Sequence, residues 1–301
     1  MNNILIKSTK IFIVLLLFYY LYNNNHLSLD ILTYLKSNIY FSIFLTVLVL
    51  FTIILGAFRW ILILKSTNIR NSFFENFKIY YMCAFFNNFF FGNLGGDFIK
   101  IYYVSKLTKS NKIKNSFSII IDRIFGFLGL IFLGVTTLLL ILFEQKNYEF
   151  IIYLIFFSLL GLVIIILLIR FFKRIKKINE FFDYFKISLK TSFFCTVISV
   201  IIFFIVHYTT YLISSKILMF DIKMSYIFFS NFITALLSAL PFTPGGIGIG
   251  ELSFIFINNN FFNIYLTNLA NIILFFRIIV LISTLPGLIL YVKYKRKNFI
   301  N

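Results

Sequence analysis

A chain of 301 residues that is 60% hydrophobic and only 13% charged, with a mean hydropathy of +0.96, is excluded from the class of soluble domains. The net charge of +18 is not the footprint of a nucleic-acid binder either, because most of the 28 basic residues sit in five short clusters between apolar runs. The two cysteines, Cys83 and Cys195, lie in apolar stretches with no CxxC spacing and read as buried small residues.

Apolar runs of about 20 residues are long enough to cross about 30 Å of hydrocarbon. Read as helices, they give full spans near 4–22, 39–64, 118–143, 149–171, 191–217 and 269–292. The first follows Lys7 and Lys10 and leads into Tyr22-Asn23-Asn24-Asn25, which lacks the small residues of a cleavage site, so an uncleaved helix is expected. Two further segments, 72–99 and 224–257, are hydrophobic but interrupted. The first contains Gly92-Asn93-Leu94-Gly95-Gly96-Asp97. The second contains Pro241-Phe242-Thr243-Pro244-Gly245-Gly246-Ile247-Gly248-Ile249-Gly250, which holds two of the three prolines in the chain.

Charge then orients the runs. The basic clusters at Lys7 and Lys10, at Lys65 to Lys78, Lys100 to Lys114, Arg170 to Lys190 and Lys293 to Lys297 all belong in the cytoplasm by the positive-inside rule. Segments 72–99 and 224–257 must each enter and return on one face. The expectation is an all-α integral membrane protein, a single polytopic domain over 1–301, with about six full transmembrane helices plus two re-entrant or broken hairpins. Both termini are expected in the cytoplasm and the chain in a bacterial or archaeal inner membrane. Paired interrupted segments point to a midplane site, and irregular backbone is tolerated at that depth only when buried in protein or lining a cavity. Such a layout suits an inverted repeat, although no residue-level repeat stands out between the halves.

Charges within apolar spans are expensive and mark function by default. Arg277 lies about a third of the way along the last span. Asp122 and Arg123 open another, where they read equally well as an end pair with Arg123 reaching to the interface. Arg59 reads as a snorkelling side chain. Asp97 is either a plain helix cap or, with Lys100 and exposed amides, part of an anion site. Glu251 falls in the first turn of a returning half-helix, where it complements the helix dipole or holds a cation, a proton or an amine. His207, on an apolar helix, reads as a hydrogen-bonded packing residue. No HExxH, nucleophile elbow or Walker sequence occurs, and Gly246, Gly248 and Gly250 do not make GxGxxG, so no cofactor and no metal are expected.

Three stretches carry a family resemblance. Gly95-Gly96-Asp97-Phe98-Ile99-Lys100 resembles a GGD-x-x-R motif, with Lys100 where arginine is usual. Asp122-Arg123-Ile124-Phe125-Gly126 resembles a D/E-R-hydrophobic-x-G motif. Pro241 to Glu251 is similar to P-x-x-PGG-x-G-x-x-E, with Arg277 in the last span. Together, in this order, they resemble the flippase-like transmembrane domain of lysylphosphatidylglycerol synthases. A proline common before the first break is replaced here by Asn87-Asn88.

The resemblance implies a lipid flippase-like transporter of a phospholipid or lipid-phosphate headgroup. Its headgroup site would comprise Asp97, Lys100, Arg123, Glu251 and Arg277, and its broken-helix backbone Gly95, Gly96, Pro241, Pro244, Gly245, Gly246 and Gly248. The partners it implies are membrane lipids, either anionic phospholipid or polyprenyl phosphate, with no nucleic acid. A homo-oligomer or a separate lipid-modifying enzyme would complete the set. Aminoacylation of lipid is not expected of this stretch alone. The alternatives are a polyprenyl-phosphate-dependent glycosyl or aminoacyl-lipid transferase, and a non-catalytic accessory membrane protein.

Overall fold

The structure, a computed structural model, describes residues 19–24, 26–28, 31–69, 71–89, 95–108, 112–146, 176–240 and 242–299. Among these residues every regular element is helical. Four helices are long and apolar enough to cross a bilayer: α2 (Ile39–Ser66, after a short α1, Ile31–Ser37), α5 (Lys112–Glu144), α7 (Ser192–Leu212, prolonged by a π turn Ile213–Ile217) and α10 (Asn271–Phe299). They are the spans expected at 39–64, 118–143, 191–217 and 269–292. The span at 149–171 lies outside the described residues, as does all of 4–22 except its helical end from residue 19.

The interrupted segments form two pairs of half-helices. The first pair is α3 (Phe73–Asn87, 15 residues) and α4 (Gly95–Thr108, 14 residues). The second is α8 (Met224–Ser238, 15 residues) and α9 (Ile249–Phe262, 14 residues). At 1.5 Å per residue each half-helix is only about 21–23 Å long, too short for a straight crossing.

Two segments depart from the expectation. The first hairpin is expected to end at 99, with Lys100 opening a cytoplasmic basic cluster. In the structure the returning half-helix runs on to Thr108, because Gly96, Lys100, Tyr103 and Val104 recur at helical spacing as one buried stripe. The basic cluster Arg170 to Lys190, assigned to the cytoplasm by its charge, is helical over Lys176–Ser188, helix α6. There Phe181, Tyr184 and Phe185 share a face that packs on Ile63, Ile121, Phe125 and Cys195, while Asp183 and Lys186 point outward. An apolar face opposite a charged one is the pattern of a helix lying along the bilayer surface.

A repeat organises the described helices from α2 to α10. Elements α2–α5 correspond in order to α7–α10: a span, two half-helices, a span. Contacts between the halves come in exchanged pairs. Helix α5 packs on α7 as α10 packs on α2, and α8 packs on α5 as α3 packs on α10, while α2 packs on its own counterpart α7. That is the contact pattern of two units related by a pseudo-two-fold axis.

Candidate functional site

At the first break α3 ends at Asn87 and the described part of α4 begins at Gly95. The Asn87 side-chain oxygen accepts a hydrogen bond from the Gly96 N–H at 2.7 Å, satisfying a donor in the first turn of α4. Gly96 permits this fold-back. A Cβ there would sit 2.6 Å from that same Asn87 oxygen and closer still to the Cys83 carbonyl.

The charges that follow diverge. Asp97 accepts the Arg123 Nε–H at 2.6 Å, and the Arg123 side chain is 42% exposed. Lys100 turns inward, with its Nζ 3.6 Å from an Asp122 oxygen and over the rings of Tyr80 (4.3 Å) and Trp60 (5.0 Å). The other Asp122 oxygen accepts the Arg59 Nε–H at 2.7 Å, and Arg59 Nη1 donates to Ser199 Oγ at 2.8 Å. Arg59 therefore does not snorkel; it is buried beside Asp122, which itself pairs with Arg59 and Lys100 rather than with its neighbour Arg123. Gly126, one turn beyond Asp122, leaves room for the guanidinium, since a Cβ would stand 3.3 Å from Arg59 Nη1. Two cations share one carboxylate, so the buried group is net positive. It borders a cavity of about 260 Å³ whose wall includes Arg59, Lys100, Tyr80, Asn87 and Phe203.

At the second break, Gly245, Gly246 and Gly248 adopt left-handed backbone with φ of 56°, 69° and 85°, which side-chain-bearing residues rarely adopt. The turn aims carbonyls at Arg277, whose Nη1 donates to Gly245 O at 2.7 Å and Nη2 to Gly246 O at 2.8 Å. Its Nε donates to Glu251 at 2.6 Å, and the other Glu251 oxygen accepts the Gly248 N–H at 2.7 Å. Glu251 thus closes the start of α9 and holds Arg277 at once. Pro244 belongs to this same turn, and Pro241 lies outside the described residues.

The two breaks are counterparts and they touch. Asp97 and Glu251 are each the third residue of a returning half-helix, each follows a glycine, and each binds the Nε of an arginine 26 residues later. A Cβ on Gly245 would lie 2.5 Å from the Asn88 carbonyl, so the second break rests directly on the first. Asn88 also donates to Thr284 of α10 at 3.0 Å. A second cavity, of about 270 Å³, opens beside this contact and is lined by Asn88, His207, Asn231, Ser238 and Arg277 among others. Phe203 borders both cavities, and the adjacent Asn87 and Asn88 face one each.

Of the residues expected at a site, Lys100 reaches the first cavity and Arg277 the second, with Glu251 behind it. Asp97 and Arg123 pair with each other and line neither cavity. Gly95 and Gly96 form the buried start of α4. The sequence reading missed Arg59 and Asp122 as members. Their signal was present, since both are charges in apolar spans, but snorkelling explained one and an end pair the other. His207 is also corrected: it is 1% exposed, and neither ring nitrogen has a hydrogen-bond partner among the described residues. Among those residues no group of three His, Cys, Asp or Glu could hold a metal ion.

The sequence profile of one protein family, described as the lysylphosphatidylglycerol synthase TM region, matches residues 8–287. No curated protein and no solved structure is similar enough to be matched.

Proposed function

The chain belongs to the lysylphosphatidylglycerol synthase TM region family, a family of membrane proteins connected with lipids, and from that premise we propose that it is a flippase-like transporter of a phospholipid or lipid-phosphate headgroup in a cell inner membrane. One observation carries the reading: two cavities lie back to back where the broken hairpins touch, separated by Phe203 and the Asn87–Asn88 step. A headgroup phosphate leaves the basic, cytoplasmic leaflet for the first cavity, drawn by the net-positive group of Arg59, Asp122 and Lys100. The 3.6 Å contact of Lys100 with Asp122 is long for a charge-assisted hydrogen bond, so a phosphate oxygen can compete for the ammonium. Beyond Phe203 the guanidinium of Arg277 receives the same phosphate. Rocking of the two repeats about their contact would expose the cavities alternately, as inverted-repeat transporters do. The sequence holds no nucleotide-binding motif, so a gradient or downhill flow drives the movement.

The test is transbilayer movement of fluorescent phosphatidylglycerol in proteoliposomes, followed by chemical quenching of the outer leaflet. Lys100→Ala and Arg277→Ala should each slow the protein-dependent rate roughly tenfold or more, the worth of a charge-assisted contact. Wild-type rates in both variants would remove these residues from the path. Absence of any protein-dependent movement would remove the transport reading itself.

A further inference from the structure

The first half of the repeat buries charges that the second half does without. Lys100 stands three residues after Asp97, and Asp122 stands just before Arg123. At the same places relative to Glu251 and Arg277 the second half has Phe254 and Phe276. The frame is therefore built equally well with apolar side chains there, so the charges have a purpose other than holding the fold. Arg59, Lys100 and Asp122 are all buried and together hold one positive charge in excess. The nearby Asp97–Arg123 pair is balanced and leaves that excess unchanged. A buried excess charge is costly until a charge of opposite sign meets it.

The donors around the first cavity are not used up. Arg59 spends Nε on Asp122 and Nη1 on Ser199, and its Nη2 makes no hydrogen bond among the described residues. The Lys100 ammonium comes no nearer than 3.6 Å to its carboxylate partner. The Tyr80 hydroxyl is unbonded among the same residues, and because Gly96 takes the Asn87 oxygen, the Asn87 amide NH₂ is left over. All four residues line the cavity, and among the described residues no acidic side chain does. The sealed, unbonded polar atoms lie elsewhere, so these four groups keep accessible surface. We propose that the first cavity is a binding site for a small, singly charged inorganic anion of the chloride class, held by Arg59, Lys100, Tyr80 and Asn87. One negative charge balances the group. A dianion overshoots it and loses more hydration, a cost that grows with the square of the charge. About 260 Å³ amounts to roughly nine waters at about 30 Å³ each, room for a halide with part of its hydration shell. The assignment does not rest on the transport reading. A headgroup phosphodiester carries the same single charge, so under that reading it displaces the ion.

Melting of the full-length, detergent-solubilised protein tests the site. Sodium chloride and sodium bromide are each titrated against sodium gluconate at fixed ionic strength, with sodium sulfate as the divalent arm. The two halides should raise Tm by about 3 °C or more along a saturating curve. Sulfate should give no saturating rise. Lys100→Gln removes the excess charge and should abolish the halide response, whereas Lys100→Arg keeps the charge and should keep the response. Tyr80→Phe deletes one oxygen, leaves the ring under Lys100, and should raise the half-saturating chloride concentration about fivefold or more, the worth of one hydrogen bond. It keeps the test valid if the glutamine variant folds poorly. No saturating rise, an equal one with sulfate, or a rise untouched in both Lys100→Gln and Tyr80→Phe overturns the site. Added dihexanoylphosphatidylglycerol separates the sources of the charge. A higher half-saturating chloride concentration means that a lipid phosphate shares the cavity, an unchanged one that the inorganic ion has it alone, and the site stands in both cases. Transport fails independently: a halide response without lipid movement in vesicles refutes the flippase reading and leaves this one intact.

Discussion

Asp122 lies between two cations in a dry place, and that position sets the cost of disturbing it. Removing one member of a buried, bonded ion group leaves an uncompensated charge and costs about 3–5 kcal/mol. Asp122→Ala, which would strand two buried cations, should therefore lower the thermal stability of the purified protein sharply. Arg123→Ala, at the half-exposed Asp97 pair, should cost about 1 kcal/mol or less. Melting curves in one detergent check the contrast, and equal losses would contradict the assigned burial. How legible these roles were in the sequence depended on partners distant along the chain. Arg277 and Glu251 stood out because a charge deep in an apolar span, or just past a Gly/Pro break, has few ordinary explanations. Arg59 did not, because its depth is decided by Asp122 and Ser199 on two other helices, and nothing near position 59 announces them. His207 was misread for the related reason that a lone histidine does not show from sequence whether its nitrogens find partners.

The half-helices depend on close backbone approach at a few glycines. Gly245→Ala combines a left-handed φ of 56° with a Cβ pressed onto the Asn88 carbonyl. The backbone alone would cost about 1–2 kcal/mol, and relief of the clash would push the hairpins apart. The expected result is a lower melting temperature together with loss of lipid movement. A variant that melts earlier yet moves lipid at the wild-type rate would show that hairpin contact is not needed for transport. Gly96→Ala should act similarly through Cys83 and Asn87, and Asn87→Ala should weaken the start of α4 by about 1 kcal/mol, the usual worth of a cap. At this scale the sequence was readable in kind but not in extent. Glycine and proline clusters located both breaks, yet the reach of α4 to Thr108 and the existence of α6 were hidden. In both, lysines among aromatic residues look like a cytoplasmic loop until one helical face is seen to be buried.

At the scale of the whole molecule the repeat is the dominant feature, and it leaves almost no trace in residue identity. What the halves share is a count: half-helices of 15 and 14 residues, an acidic residue third in the returning one, and an arginine 26 residues on. Around that frame the apolar residues differ freely, since lipid accepts any of them, so no alignment of the halves by eye reveals it. If the units are inverted, equivalent places face opposite sides of the membrane. Single cysteines replacing Lys106 and Lys186 should react with an impermeant maleimide only from the cytoplasmic side. Cysteines replacing Lys146 and Tyr265 should react only from the outside. Labelling of all four from one side would refute the inversion.

The indole of Trp60 has a use beyond supporting a lysine. It is the single tryptophan among 301 residues, and the Lys100 ammonium lies 5.0 Å from its ring. The tryptophan emission of the unlabelled protein, excited beyond the tyrosine band, therefore comes from one spot, behind the Lys100 that lines the first cavity. An anion drawing Lys100 away would change that emission, so each arrival could be followed by light, in real time, in any membrane that lacks tryptophan of its own.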